Sequence, residues 1–543
     1  NATETEVYAA TLALSVVTLA AADRAGRTGE RRWLMLVVYL IALAVPLHMS
    51  ALVAGPAIVY AAATDTTGSF RRASALLVAG AWLAAMGVGK MSPLTVVAGA
   101  AIVVAGAALD AERSPGVARW QPLTTRALRT TASLAAVVAV AATALLFLLV
   151  RAQHDPIVNQ GAPTTLAALG DVVARRQYDV APLWPRRAPL WLQAANVFQY
   201  ADWQVALSLG ATVIPTPWRI ATTIVFAVLG VVGCLEHRRR DLRSWRTLLL
   251  VLLGGSLGVV LYLNLRAGPS FGWGILPADA TREARERDYF FVTGFWAWGL
   301  WAGYGAVVAA ERFKLPRPLG VAVAALPIVL NWRALDRGRW PEAALPRFLA
   351  ASLLEAAPPR SVLFVGGDND TYPLWHAQAV HGTRRDVTVV TTPLLPADWY
   401  REELWRRHQL QPEPAANRWE GRTATSREIA RRARALGRPV AAAITLPGDE
   451  RRAIGGEWEL RGPVFVEVSP TTSGLRVDSA ATNDWATRYE AWRAGRMAPP
   501  SIDPTSQLVL DVLSCPGWMV GKSRSNAPLR AGSRSLASLC NLR

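Results

Sequence analysis

The fold is decided by residues 281–301, where Thr281-Arg-Glu-Ala-Arg-Glu-Arg-Asp288 runs directly into Tyr289-Phe-Phe-Val-Thr-Gly-Phe-Trp-Ala-Trp-Gly-Leu-Trp301. Residues 282–288 carry three arginines, two glutamates and one aspartate, whereas residues 289–301 carry no charge. This pattern predicts a water-facing ionic cluster at the mouth of a membrane helix, where an anionic lipid headgroup or a charged substrate would lie. The alternative interpretation is a solvated loop whose charges pair with one another.

Composition extends the membrane prediction to most of the chain. Hydrophobic residues make up 52% and charged residues 18% of the 543 residues, and the mean hydropathy is +0.21, whereas an ordinary soluble domain has about 25% charged residues. An α-helical polytopic membrane bundle over residues 1–331 is therefore expected. About ten apolar segments compose it, at 7–22, 33–47, 49–63, 73–89, 93–109, 128–150, 213–233, 247–265, 289–310 and 319–330.

Much of the positive charge lies in the loops that connect these apolar segments. The net charge is +18 and the pI is about 10.7, but much of the arginine lies in short loops between apolar segments, so nucleic acid is not an expected partner. Alternate loops carry eighteen Lys and Arg residues on one side and eleven on the other. The richer side is expected to be cytoplasmic. The loops 151–212 and 266–288, and the chain from Trp332, are then expected to face outward.

The chain after residue 331 has a different pattern, typical of a soluble α/β domain over residues 332–500. Buried strands are predicted at 361–365, 386–391, 440–445 and 464–468, with helices near 372–380, 397–408 and 425–436. This alternation predicts a largely parallel sheet. Residues 501–543 form a separate tail.

The turn Gly366-Gly-Asp-Asn-Asp-Thr371 follows the first of these strands, where such sheets bind ligands. Asp368 and Asp370 are candidates for binding sugar hydroxyls or a divalent cation. Alternatively, they cap the following helix. Cys and His residues show no metal-ligand spacing, so no metal site is assigned.

Several motifs together indicate a family. Arg285-Glu-Arg-Asp-Tyr-Phe-Phe291 is one, and Gly367-Asp-Asn-Asp-Thr-Tyr-Pro-Leu-Trp375 is a second; Asp398-Trp-Tyr400, Glu6-Val-Tyr8 and Leu47-His48 accompany them. The chain resembles a large family of bacterial polytopic membrane proteins related to the vertebrate transmembrane protein O-mannosyltransferases, which are GT-C-type glycosyltransferases. The resemblance implies transfer of a sugar from a polyprenyl-phosphate donor to a protein or glycan acceptor. It also implies a bacterial inner (plasma) membrane location, with the C-terminal domain on the periplasmic side.

The catalytic residue is not assigned. In this family the catalytic acid lies in the first outward loop, before the segment that resembles Glu6-Val-Tyr8. The chain opens on Asn1 rather than Met, and we expect it to be a fragment or a processed form that lacks that loop. The resemblance extends to Cys515 and Cys540, which fit one bacterial branch. In an oxidising compartment, these two are expected to form a disulfide that tethers the tail.

Candidate binding residues follow from the chemistry of sugar transfer. Arginine forks suit the departing lipid phosphate, and Arg266, Arg285 and Arg287 are the first candidates, with His48 and Lys90 second. His48 is alternatively a structural histidine, and Lys90 a snorkelling lysine. The candidates for binding the acceptor or the sugar are Asp279, Glu286, Asp288, Asp368 and Asp370.

Two other functional classes stay open. A transporter would show repeated halves and charges at the bilayer midplane, whereas here no repeat is evident and the charges gather near one face. A non-catalytic, membrane-anchored binding protein, with the α/β domain as its receptor, is the second alternative. Release of lipid phosphate that depends on an acceptor would distinguish the enzyme from both.

Overall fold

The structure is a computed structural model that describes residues 7–112, 123–176, 181–209, 215–272, 274–277, 280–283, 285–336, 338–414, 418–469, 476–494 and 504–521. The chain divides into two compact units. The helical unit comprises residues 1–154 and 163–337, and the α/β unit comprises residues 155–162 and 338–543.

The described part of the helical unit consists mainly of α-helices, with its longest connections before the helix Leu190–Ala206 and before the helix Val292–Arg312. In chain order they are α1 Val7–Thr28, α2 Arg31–Leu47, α3 Gly55–Ala63, α4 Arg72–Gly89, α5 Pro93–Glu112, α6 Leu123–Gln153, α7 Leu166–Val173, α8 Leu190–Ala206, α9 Pro217–Arg240, α10 Leu242–Leu253, α11 Val259–Leu263, α12 Val292–Arg312, α13 Arg317–Leu330 and α14 Trp332–Leu335. A π-helical turn at Gly254–Gly258 joins α10 to α11. Within residues 151–212, Leu190–Ala206 form one helix, α8, which a 3₁₀ turn, Leu207–Leu209, follows.

Among the described residues, six helices are long and apolar enough to cross a membrane by length and composition: Val7–Thr28, Arg72–Gly89, Pro93–Ala111, Thr125–Gln153, Pro217–Arg240 and Leu242–Leu263. Met49–Ala63 and Arg317–Leu330 are apolar but shorter. The prediction of about ten apolar segments is therefore met in part. The segments 33–47 and 49–63 are separate in the structure, because α2 ends at Leu47 and a 3₁₀ turn, Met49–Ala54, separates it from α3.

Small residues let these helices approach closely. An added Cβ at Gly305 of α12 would lie 1.8 Å from the Leu229 carbonyl oxygen of α9, and one at Gly233 would lie 2.0 Å from that of Trp301. Association of membrane helices depends on such packing, since lipid tails are as apolar as the side chains they replace. The glycines of α9 and α12 therefore allow this helix pair to form.

The helical unit has two chemically different ends. At the basic end, formed by residues 23–32, 61–72 and 236–246, Arg243 donates from Nη2 to the Ala61 carbonyl (2.7 Å) and from Nε to that of Thr64 (2.9 Å). Arg243 also pairs with Asp23 of α1. At the other end, called the aromatic end, Tyr8 of α1 meets Tyr289, with ring centroids 4.5 Å apart. The arginines in residues 23–32, 61–72 and 236–246 thus lie at one end of the helical unit.

The α/β unit is built on a six-stranded sheet. Its strands are β1 Val362–Val365, β2 Thr388–Thr391, β3 Val440–Ala443, β4 Glu457–Arg461, β5 Val464–Val468 and β6 Arg476–Val477, in the order β2-β1-β3-β5-β4-β6. The strands β1, β2 and β3 are fully buried, in keeping with sequences that are uncharged and mostly apolar. The helices are α15 Leu345–Ala356, α16 Asp368–His381, α17 Asp398–His408, α18 Arg422–Ala435, α19 Gly448–Ile454, α20 Ser479–Ala494 and α21 Pro504–Met519.

All four predicted strands are present, but the sheet is mixed rather than largely parallel. β1 pairs in parallel with β2 and β3, whereas β5 is antiparallel to both β3 and β4. The cause is a tight hairpin at residues 462–463, which reverses the chain between β4 and β5. Gly462 has a φ of +59° in this turn, a conformation that glycine adopts without strain.

Candidate functional site

The aromatic end brings together residues that are far apart in sequence. His48 lies between α2 and the 3₁₀ turn, with its ring centroid 5.3 Å from that of Tyr8. Tyr289 and Phe290 belong to a 3₁₀ turn, Asp288–Phe291, that leads into α12. The Tyr8 ring is 4.5 Å from Tyr289 and 5.9 Å from Phe290. Three of the motifs that carried the family resemblance thus meet in one cluster, which we call the aromatic cluster: Tyr8, His48, Tyr289 and Phe290.

His48 takes part in this cluster as a neutral ring. Burial, with a smaller contribution from the positive charge of Arg175, lowers the pKa of His48 to about 4. Its Nδ1 lies 2.6 Å from the Ser50 hydroxyl and accepts a hydrogen bond from the Ser50 backbone N–H at 3.3 Å. Because Nδ1 accepts, we assign the proton to Nε2. At neutral pH the side chain therefore offers a hydrogen-bond donor without a charge.

Two arginines border the aromatic cluster. The Arg285 guanidinium is stacked 5.1 Å from the Tyr289 ring centroid. Arg287 donates from Nη1 to the Tyr289 hydroxyl (2.6 Å) and from Nε to Glu283 (3.1 Å). Burial opposes its charge, but Tyr289 and Glu283 outweigh burial and raise the pKa of Arg287. The guanidinium therefore remains charged and is held in a fixed orientation.

The loop before α12 is held in place by two glutamates. Glu286 accepts hydrogen bonds from the Tyr200 hydroxyl and from the Ser270 backbone N–H, both at 2.9 Å. Glu283 accepts from the backbone N–H of Arg266 at 2.9 Å. The Arg287 backbone N–H donates to the Tyr200 hydroxyl at 3.1 Å. These bonds join the two ends of the loop to each other and to α8.

The Tyr200 hydroxyl takes part in two of these hydrogen bonds, with Glu286 and with the Arg287 backbone N–H. Burial and the Glu286 carboxylate raise the pKa of Tyr200, so its hydroxyl stays protonated and donates to Glu286. It is 2% exposed. Two residues further along α8, the buried Asp202 pairs with the fully buried Arg219 of α9 and accepts from the Thr223 hydroxyl at 3.2 Å. The ion pair fastens α8 to α9 and so supports the position of Tyr200.

The remaining predicted residues of this region have different surroundings. The Lys90 ammonium lies 4.9 Å from the Tyr262 ring centroid, a cation–π contact. Asp288 is the first residue of the 3₁₀ turn that leads into α12. The backbone N–H of Arg266 donates a hydrogen bond to Glu283, and this bond helps to hold the loop before α12 in place. Asp279 lies outside the described residues.

The two aspartates of the α/β unit differ from each other. Asp370 is 4% exposed and accepts from the Thr445 hydroxyl at 2.7 Å and from the Gly366 backbone N–H at 3.1 Å, and burial raises its pKa. It therefore joins the turn after β1 to the turn after β3. Asp368 is exposed at the first residue of α16. Among the described residues, no group of three or more His, Cys, Asp or Glu could hold a metal ion.

The cysteine prediction stays a prediction. Cys515 is fully buried in α21, and Cys540 lies outside the described residues. Cys234 is a free thiol in α9.

Sequence reasoning did not single out the bracing residues Tyr200 and Ser270. The only sequence signal for Tyr200 was the density of aromatic residues in the 151–212 loop, which indicates order but no particular role. Its partner Glu286 lies 86 positions away in the chain. The sequence pattern around Tyr200 or around Glu286 does not by itself predict a contact between them.

Comparisons with known proteins match two stretches of the chain. Residues 1–71 match the family model described as "Protein O-mannosyl-transferase TMEM260 N-terminal domain", and residues 347–429 match "TMEM260-associated domain 2". These matches support relatedness to that O-mannosyltransferase family and are consistent with a glycosyltransferase. The first stretch contains Tyr8 and His48, and the second contains Asp368 and Asp370. No curated protein and no solved structure matches the chain.

Proposed function

We propose that this protein acts as a polytopic membrane glycosyltransferase that moves a sugar, mannose in particular, from a polyprenyl-phosphate donor to a hydroxyl of a protein or glycan acceptor. The observation that carries the proposal is the meeting of Tyr8, His48 and the 285–290 segment at the aromatic end. Tyr8 and His48 lie within the stretch that matches an O-mannosyl-transferase model. We propose that the reaction takes place at the outer face of a bacterial inner membrane.

The arginines suit the leaving group of this reaction. The bond between the anomeric carbon and the phosphate oxygen breaks, and the acceptor oxygen bonds to the same carbon through an oxocarbenium-like state. The departing group is a lipid phosphate anion. Arg287 uses Nε and Nη1 to hold its own position, so Nη2 is the donor that we assign to the phosphate. Arg285 supplies a second positive charge, and His48 a neutral Nε2–H.

Arg266 and Lys90 have supporting roles in this proposal. The Arg266 backbone helps to close the loop through its hydrogen bond to Glu283. The backbone of Arg266 is therefore held in a fixed position, which we propose lies near the phosphate site. Lys90, held over the Tyr262 ring, adds long-range attraction for the anionic donor. The rings of the aromatic cluster provide apolar surface for the first isoprene units.

The carboxylates divide into structural and substrate-binding groups. Glu286 and Asp370 are already engaged by the chain, and we propose that they shape the sugar and acceptor sites without contacting substrate. Asp288 and Asp368 are proposed to bind hydroxyl groups, as is Asp279. Asp368, which is exposed, is also the better candidate for a bound divalent cation. The base that takes the proton from the acceptor is not assigned to any residue of this chain.

The proposal is tested by following the lipid product. The full-length natural protein, reconstituted in liposomes with polyprenyl-phosphate mannose, is expected to release polyprenyl phosphate only when a hydroxyl acceptor is present. Absence of release, with acceptor binding retained by residues 332–543, would instead identify a membrane-anchored binding protein. Passage of the sugar across the liposome membrane without cleavage of the donor would identify a transporter.

A further inference from the structure

A second candidate ligand site lies at the basic end of the helical unit, away from the aromatic cluster. It is a cavity of about 330 Å³ between α2, α4, α5 and α6. Pockets that hold small ligands have volumes of about 300–1,000 Å³. The volume therefore suits a headgroup phosphate and the start of one hydrocarbon chain, but not a large polar molecule.

The cavity lining is graded from charged to apolar. Arg31, the first residue of α2, and Arg71, directly before α4, line it at the basic end. One to two turns further along α2, α4 and α6, the lining residues are Val38, Leu77 and Leu134, which are 2%, 3% and 6% exposed and pack in one cluster. A ligand in this cavity would therefore have a polar head and an apolar tail.

The charges favour an anionic head. The side chain of Arg71 is one-third exposed and lies 3.9 Å from Asp65, a long ion pair that leaves much of its charge for a ligand. The lining also contains the hydroxyl residues Ser74 and Thr130. Asp110, the one carboxylate among the described lining residues, already engages another group of the chain. The positive ends of α2 and α4, where neither N-cap side chain accepts a hydrogen bond, add to the attraction for an anion.

We propose that this cavity binds an anionic glycerophospholipid, with its phosphate between Arg31 and Arg71 and the start of one acyl chain against Val38, Leu77 and Leu134. A free phosphate ion would satisfy the arginines but would leave the apolar wall uncovered, so a lipid is the better match. One wall of the cavity belongs to a helix that is suited to contact lipid. Within residues 125–153 of α6, the only buried residues are Thr130, Leu134, Ala141 and Ala152.

The test uses the full chain in detergent, with lipids bound to the intact protein counted by native mass spectrometry. Phosphatidylglycerol is expected to be retained as one tightly held molecule, and phosphatidylcholine to bind more weakly. Arg31→Ala is expected to weaken phosphatidylglycerol binding about tenfold or more, the scale of a lost hydrogen bond to a charged group. Equal retention of the two lipids would overturn the proposal.

The matched control is Arg32→Ala. Arg32 is adjacent to Arg31, has a side chain 75% exposed, and pairs with Glu30 outside the cavity lining. It is expected to have little effect. If Arg32→Ala weakened binding as much as Arg31→Ala, the lipid would be held by the general positive surface, and the assigned cavity would be wrong.

A further variant and a further ligand test the apolar part of the site. Met35→Trp places a large ring in the cavity and is expected to exclude long-chain phosphatidylglycerol without removing either arginine. Glycerol phosphate, which has the head but no chain, is expected not to compete with the lipid. Competition by glycerol phosphate, or full lipid binding by Met35→Trp, would show a plain anion site and contradict the proposal. Thermal unfolding of each variant without added lipid shows whether it is folded.

Discussion

Arg287→Ala is expected to abolish binding of the polyprenyl-phosphate donor while the protein remains inserted in the membrane. Arg287 lies at the aromatic end with Nε on Glu283 and Nη1 on Tyr289, so its charge is presented in one orientation. Charge-assisted hydrogen bonds to phosphate are among the strongest in proteins. Because more than one such bond and the local positive charge are lost, we expect affinity to fall by about 100-fold or more. Binding of a fluorescent polyprenyl-phosphate analogue to reconstituted protein measures this.

Two further variants isolate the role of the Arg287 side chain. Arg287→Lys keeps the charge but loses the planar fork, and it is expected to bind the donor with intermediate affinity. Arg151→Ala removes an exposed arginine at the end of α6 and is expected to bind as the unaltered protein does. Unchanged donor binding by Arg287→Ala would remove the phosphate-binding role from this residue.

Asp202→Ala is expected to be the most destabilising single change in the α8 region. The side chain of Arg219 is fully buried and that of Asp202 is 5% exposed, so the alanine variant leaves a guanidinium without its carboxylate partner in an apolar setting. Removing one partner of a buried pair costs about 3–5 kcal/mol. α8 should then detach from α9 and displace Tyr200, so donor binding is expected to fall as well. Thermal unfolding in detergent, followed beside donor binding, measures both effects.

The control for this prediction removes both charges. In the double variant Asp202→Leu with Arg219→Leu, no unpaired charge remains, and apolar packing can replace a buried pair at little cost. Most of the lost stability and donor binding should therefore return. If Asp202→Ala and the double variant were equally unstable, the pair would have a role other than charge compensation. If Asp202→Ala were as stable as the unaltered protein, the anchoring of α8 would be wrong.

A helix was predictable where the sequence of its own segment is sufficient to identify it. Runs such as 73–89 and 128–150 are apolar over nearly their whole length, and they form α4 and α6. The helices α2 and α12 were also predicted, from the apolar segments 33–47 and 289–310. Neither is among the six described helices that meet the length and hydropathy of a membrane span.

The sheet shows the same limit. The strands β1, β2 and β3 are short apolar runs bounded by turn residues, a local signal that is readily recognised. β4 has the sequence Glu457-Trp-Glu-Leu-Arg461, in which only alternate residues are buried, and it was missed. Without β4 the hairpin to β5 could not be foreseen, so the sheet was expected to be largely parallel.

The candidate site was predictable in its motifs but not in its contacts. The run of charges at 282–288 marked the segment, yet charge alone does not separate Glu286, which braces the loop, from Arg285, which is exposed. The role of Tyr200 depends on a hydrogen bond across 86 residues of chain. Likewise, the neutral state of His48 follows from burial and from Arg175, neither of which is visible in the residues next to it.

The aromatic end and the basic end of the helical unit are expected to face opposite sides of the membrane, with the aromatic end outside. Arg285→Cys and Arg240→Cys at exposed positions, each in a background in which Cys234, Cys515 and Cys540 are replaced by serine, test this with a membrane-impermeant maleimide on intact cells. Labelling of Arg285→Cys without permeabilisation, and of Arg240→Cys only after it, is the expected result. Labelling of both from the same side, or the reverse pattern, would contradict the account.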